Sequence, residues 1–166
     1  MADAKVKGIF SKPEDERVIL SFCIKDIHFY YTVCSKLDPE DFLYDQHRMI
    51  MMIFQSLVAQ GVEKFDVNLI ISEVQSNGVM DSVGGLKYIQ AIGNMSQLSK
   101  ENFDVYLNTV VEASAKYKLY CTLQENTSIT VDNAKTGLTS VDLISKSEAN
   151  LMDLSMSRFN IDEPKN

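Results

Sequence analysis

Six consecutive apolar residues, Met49 to Phe54, lie inside a longer run from Asp45 to Gly61 that contains no proline and no glycine before its last residue. An uninterrupted run of this length reads as a helix. Asp45 is placed to act as its N-cap, since a carboxylate there can accept from the unpaired N–H groups of the first turn. Gly61 is placed to end it, because glycine takes the left-handed conformation found just past helix termini. A segment apolar around most of its circumference is expected to be buried on several sides. It is too short to span a bilayer, which needs about 20 apolar residues. The spacing therefore predicts the central helix of a small all-α domain.

The flanking segments carry helical signals of their own. Residues 1–12 read as a loose arm, with Ile9 and Phe10 able to dock. Pro13 suits a first helical turn, where its missing N–H costs nothing. Glu14, Asp15 and Glu16 then face the positive end of the helix dipole, a better reading of this acidic cluster than a metal or acid–base site. Val18, Ile19, Phe22 and Cys23 follow at helical spacing. Asp26 caps a second helix, Ile27 to Leu37, and residues 39–42 form a turn. Asp66 caps a helix over 67–77, closed by Gly78, and a glycine-rich turn through Gly84 and Gly85 leads to a short helix over 86–92. Together these make a compact helical head, residues 13–98.

The pattern then lengthens. Phe103, Tyr106, Leu107, Val110, Ser114, Tyr117 and Cys121 step along one stripe, and no glycine or proline appears until Gly137. This predicts one long helix, fraying near its end, and a second over 140–159 carrying Val141, Leu143, Ile144, Leu151, Met152 and Leu154. Two helices joined by a short break pair antiparallel. The second subdomain, residues 99–160, is thus a projecting helical hairpin with little core of its own. Its apolar stripe should be covered by another copy, with Phe103, Tyr106, Val110, Tyr117, Val141, Ile144 and Leu151 as the self-association surface. Residues 161–166 read as the start of a linker.

Chemistry is nearly absent. Net charge is −7 and the pI about 4.8, against a surface built for phosphate contacts, so strong direct DNA binding is not expected. Cys23, Cys34 and Cys121 are odd in number and widely spaced, which suits reduced thiols in a cytosolic protein, serving as small apolar filler. His28 and His47 have no partner at metal spacing, and His47 reads as packed or surface-bonded rather than as a ligand. There is no signal peptide, no membrane span and no GxxxxGK followed by Ser or Thr, the loop that cradles nucleotide phosphates. Catalytic, cofactor and metal residues are therefore expected to be none, and the chain is read as a non-enzyme.

The order of the pieces resembles one known family. Pro13 to Ser21 looks like the opening of the N-terminal domain of DnaB-type replicative helicases, where an acidic first turn leads into an apolar helix. Asp41-Phe42-Leu43-Tyr44, with His47, Arg48 and Ile50, is similar to that family's "DFy…HR.I". Gly61 with Asp66 to Leu69, then Val83-Gly84-Gly85 with Tyr88 and Ile89, match further motifs. Asn102, Phe103, Tyr106, Val110 to Glu112, and Val141 to Ala149 resemble the two hairpin helices. Six pieces in order cover about residues 13–158. Ser21 and Lys118 stand where Gly and Arg are usual, departures that mark a divergent member, such as one carried by a phage.

The resemblance implies more than the residues do. In that family the hairpins pair between subunits, and three such dimers form a collar on a hexameric ring. The collar receives the helicase-binding domain of a primase and, in some systems, a loader. The motor that uses ATP and Mg lies downstream, after a linker, and this chain ends at Asn166 before either. The expected role is a non-catalytic collar and docking domain in the cytoplasm of a bacterium or a phage-infected host. The alternative is a stand-alone adaptor or inhibitor of the same fold that binds a helicase or primase.

Overall fold

The computed structural model describes residues 2–96 and 98–162, and among them every regular element is helical. The chain divides into two compact units, residues 1–114 and 115–166. The first contains α1 (Ala2–Phe10), α2 (Pro13–Lys25), α3 (Ile27–Cys34), α4 (Asp45–Ala59), α5 (Val67–Ser76), α6 (Leu86–Gly93) and the beginning of α7 (Phe103–Asp132). The second contains the rest of α7 and α8 (Ser140–Asp162). Residues 2–10, expected as a loose arm, are helical instead. Lys7 pairs with Asp45 at 3.6 Å, and the Ser11 N–H closes the last turn onto the Lys7 carbonyl. The expected linker start lies outside the described residues from residue 163 onward; Ile161 and Asp162 are the last residues of α8.

α2 shares the centre of the head with α4. It packs against α3, α4 and α6, whereas α4 packs against α2, α5 and the 3-10 turn at Pro39–Asp41. From Ile19 to Ile24 every residue of α2 is buried. The six-residue apolar run in α4 is less completely enclosed than its composition suggests. Ile50, Met51, Ile53 and Phe54 are buried, but Met52 is exposed, because a 100° step per residue turns one member of any such run outward. Burying each of the others is worth about 1.5–3 kcal/mol relative to leaving it in water.

Two aromatic clusters fill the spaces between these helices. Phe22, Phe29 and Phe103 form a triangle with ring centroids 4.5–5.2 Å apart, joining α2, α3 and the start of α7. Tyr30, Phe54 and Phe65 form a second, with Phe54 and Phe65 stacked at 4.7 Å. Such pairs add about 0.5–1.5 kcal/mol beyond their area.

Helix ends follow local chemistry. Asp26 and Asp66 accept from the N–H groups of His28 and Leu69 and so cap α3 and α5. Asp45 does not cap α4: the cap position is Tyr44, and Asp45 is the first helical residue, bonded by Arg48. At the other end Gly61, with φ of +91°, lets the Val62 N–H reach the Leu57 carbonyl at 3.1 Å, which satisfies the last turn. Gly84, with φ of +95°, also gives room: a Cβ there would come within 2.8 Å of the Gln46 amide oxygen and 3.0 Å of the Tyr88 ring. Gly85 beside it has φ of +93° and precedes α6. Gly93 carries no turn signal in the sequence, yet a Cβ there would fall 2.2 Å from Val67, so α5 and α6 approach closely.

Candidate assembly surface and the buried polar network

α8 begins with a reciprocal cap. The Asp142 N–H donates to the Thr139 hydroxyl at 3.2 Å, and the Thr139 N–H donates to the Asp142 carboxylate at 2.9 Å. The Thr139 N–H, then the Thr139 hydroxyl, hold the Asp142 carboxyl below its ordinary range. Along α8, Leu143, Ser147, Asn150 and Leu154 are half-buried at spacings of four, three and four. On the second half of α7 and in the turn just past it, Thr122, Asn126, Ile129 and Asn133 repeat that spacing with partial or full burial. The two helices meet at a polar point. The Asn150 side-chain amide donates to Asn126 Oδ1 at 2.8 Å, and Asn126 Nδ2 donates to the Ser147 carbonyl at 3.4 Å.

α8 also carries an outer stripe. Val141, Ile144 and Leu151 fall on one side of the helix together with Glu148 and Ser155, at spacings of three and four, with Met152 beside them. Val141 is 69% exposed, Ile144 57% and Met152 61%. Leu119 and Leu123 of α7 are exposed as well. Large apolar residues open to water are thus grouped on one short stripe rather than scattered.

The residues expected to form the self-association surface therefore separate into two groups. Val141, Ile144 and Leu151 are exposed on α8. Phe103 and Val110 are not available: Phe103 lies in the first aromatic cluster and Val110 is 1% exposed, both inside the head. The stripe on α7 is continuous in sequence, but its first turns belong to the head's core, up to Ser114. Tyr106 is half-buried in that part, and Tyr117 is half-buried beyond it, with its ring 6.3 Å from that of Tyr120.

Inside the head lies a polar network that neither composition nor periodicity announced. Glu16 is 1% exposed and His47 fully buried. The Glu16 carboxylate accepts from the Leu43 and Tyr44 N–H groups at 3.1 and 3.3 Å and meets His47 Nδ1 at 3.0 Å. His47 Nε2 is 2.6 Å from the Tyr88 hydroxyl. A neutral imidazole with its proton on Nδ1 satisfies both contacts at once. Burial raises the Tyr88 hydroxyl above its ordinary value. This acid–imidazole–hydroxyl chain has the connectivity of a nucleophile triad, but all three groups are used in joining α2, α4 and α6. Asp41 adds a second buried carboxylate, accepting from the Asp38 N–H at 2.8 Å and the Ser114 hydroxyl at 2.7 Å. A third tie joins α4 to α5: Glu73 accepts from Ser56 and Gln60, and from Asn77 on its own side, and those bonds lower its carboxyl.

By its place in a first turn, Glu16 is expected to face the helix dipole; the structure turns it inward instead. Its position was legible in principle, since Glu16 lies on the same stripe as Ile19, Leu20 and Cys23. Among the described residues no cluster of His, Cys, Asp and Glu is arranged to hold a metal ion, and no helix is long and apolar enough to cross a membrane. Cys23 is buried, which pushes its thiol up; Cys34 and Cys121 are exposed.

A helical head followed by a helical hairpin defines a small all-α architecture. The family model of the DnaB-like helicase N-terminal domain matches residues 10–112, and the chain belongs to that family. Among solved structures the chain is similar to the N-terminal domain of DnaB helicase from Mycobacterium tuberculosis, with a TM-score of 0.73 and 17% identity. That likeness covers 86% of this chain and 97% of the other, and it concerns the fold. No curated protein sequence matches.

Proposed function

We propose that this chain serves as a non-catalytic collar domain of a replicative helicase, pairing with other copies of itself through α8 and presenting a docking surface to a primase or a loader. Family membership supports the helicase context. The observation that carries the pairing is the outer stripe of α8, where Val141, Ile144 and Met152 are more than half exposed. Apolar side chains so placed gain about 25 cal/mol for each Å² removed from water, and an antiparallel hairpin cannot cover them with its own partner helix. A second copy presents the same stripe, which is what a two-fold interface requires. The net charge of −7 supports protein partners over direct DNA contact.

Sedimentation equilibrium over a range of concentrations tests the pairing. The parent chain should populate dimers or higher multiples, and Ile144→Asp should weaken that association at least about tenfold, equivalent to about 1.4 kcal/mol, while leaving the head's thermal transition in place. A parent chain that stays monomeric at every concentration, or an Ile144→Asp variant that associates as tightly as the parent, would refute it. Docking is tested by titrating the chain with the helicase-binding domain of a primase from the same replication system. Absence of heat or mass change in that titration would remove the docking part alone.

A further inference from the structure

We infer that the Asn126–Asn150 amide pair fixes the register of the hairpin and, through it, the way two copies of the chain match. The second half of this inference rests on the pairing proposed above; the first half does not.

The seam between α7 and α8 is poor in large apolar side chains. Of the eight described positions at the four-three-four spacing, Thr122, Asn126, Ile129 and Asn133 with Leu143, Ser147, Asn150 and Leu154, only Ile129, Leu143 and Leu154 are large and apolar. Apolar burial is non-directional. Three such residues on two helices leave alignments one turn or one heptad apart close in free energy. Asn126 removes that freedom. It is 9% exposed, and both ends of its amide are engaged on α8: Oδ1 accepts from Asn150, and Nδ2 donates to the carbonyl of Ser147, one helical turn away. A slip along the axis separates both bonds; one turn in one direction sets Asn126 near Leu154 and Asn150 near Ile129, where a missing partner costs more than the bond itself contributes, and one turn in the other leaves only Ser147 and Thr122 as short replacements. A single buried asparagine pair specifies register in coiled coils by the same means, at some cost in stability.

Register matters here because the exposed apolar residues lie on both helices. Leu119 and Leu123 belong to α7; Val141, Ile144 and Leu151 belong to α8. Sliding one helix by a turn moves these groups about 5.4 Å relative to one another. A second copy would then meet a different surface.

The test measures the register directly. Spin labels at Ser128→Cys on α7 and Asp153→Cys on α8, both exposed positions, report the axial offset. Cys34 and Cys121 are replaced by Ser, Cys23 being buried, and labelled chains are diluted into unlabelled ones. The parent should give one narrow distance population. The pair Asn126→Leu with Asn150→Leu should remain helical and add a second population, displaced by about 5 Å for one turn or about 10 Å for one heptad. Its sedimentation should change from one associated species to a mixture. Asn150→Leu alone carries the same expectation, so the test survives if the double variant does not fold. One unchanged distance population in a folded variant overturns the register assignment. A changed register with an unchanged single oligomer overturns its extension to pairing. A monomeric parent instead defeats the pairing proposal, and the distances still decide the register.

Discussion

The head and the hairpin solve the problem of a small helical core in opposite ways. In the head, apolar side chains from five helices, α2 to α6, and the start of α7 are enclosed, and the buried carboxylates of Glu16 and Asp41 accept at least two hydrogen bonds each. In the hairpin the seam is thin and partly amide, and much of the apolar surface of α8 faces water. The first arrangement is complete within one chain. The second leaves part of its stabilisation to whatever covers it. A single substitution should therefore have different consequences in the two regions.

The sharpest contrast uses the same change twice. Val110→Asp places a carboxylate at a site 1% exposed, and should destabilise the head by roughly 5 kcal/mol or more, enough to unfold much of a marginally stable domain. Ile144→Asp, on the exposed stripe, should leave the monomer's folding nearly unchanged and act on association alone. Thermal denaturation by circular dichroism compares them. Equal transitions for the two variants would erase the distinction between the regions.

Glu16→Ala should come next. It strands the Leu43 and Tyr44 N–H groups and His47 Nδ1 without an acceptor, and removing one partner from such a buried network costs roughly 3–5 kcal/mol. Chemical denaturation should show a lower midpoint with little change in association. A loss under about 1 kcal/mol would mean that water or a rearranged loop replaces the carboxylate.

The same contrast explains what could be read from the sequence. Helix positions were legible wherever punctuation was local: Asp26 and Asp66 as caps, Gly61 past α4, and the long unbroken stretch that becomes the 30-residue α7. Family membership was legible from motif order, because spaced short motifs survive where overall identity falls. The tertiary uses of polar residues were not. Glu16 contacts groups 27 to 31 residues away, and although it shares a stripe with Ile19, Leu20 and Cys23, nothing in the sequence names the loop its carboxylate meets. Val110 and Ile144 both sit on periodic apolar stripes; which stripe is already covered depends on where the head stops, and α7 crosses that boundary without a break. Asn126 was read as part of a fraying end, though it holds a seam position. Polar residues on an apolar stripe were the available signal.

A smaller effect of the opposite sign should appear at Ser21. Its hydroxyl is fully buried in α2 and has no hydrogen-bond partner, in a head where the other buried polar side chains are mostly satisfied. Ser21→Ala removes an uncompensated polar atom and improves helix propensity, and should stabilise the head by about 0.5–1 kcal/mol. Differential scanning calorimetry would register a rise of a few degrees. A decrease would show that the hydroxyl is bonded in solution.

The smallest effect concerns pH and the start of α8. The Thr139 N–H, then the Thr139 hydroxyl, hold the Asp142 carboxyl below its ordinary 3.8. A group whose value is lowered by folding contributes its stabilisation above the unfolded value and loses it as pH falls through the folded one. The α8 cap should thus be intact at neutral pH and weaken only below about pH 3.8. Asp142 is fully exposed, so the change is confined to the first turn of α8 and is screened by salt. Carbon-detected titration of the Asp142 carboxyl should give a midpoint below 3.8, and Asp142→Asn should flatten the acid-side loss of protection at the Thr139 amide. A midpoint at or above the ordinary value would mean that the cap is not populated, and the hairpin would then begin without the local lock that the head's helices have in Asp26 and Asp66.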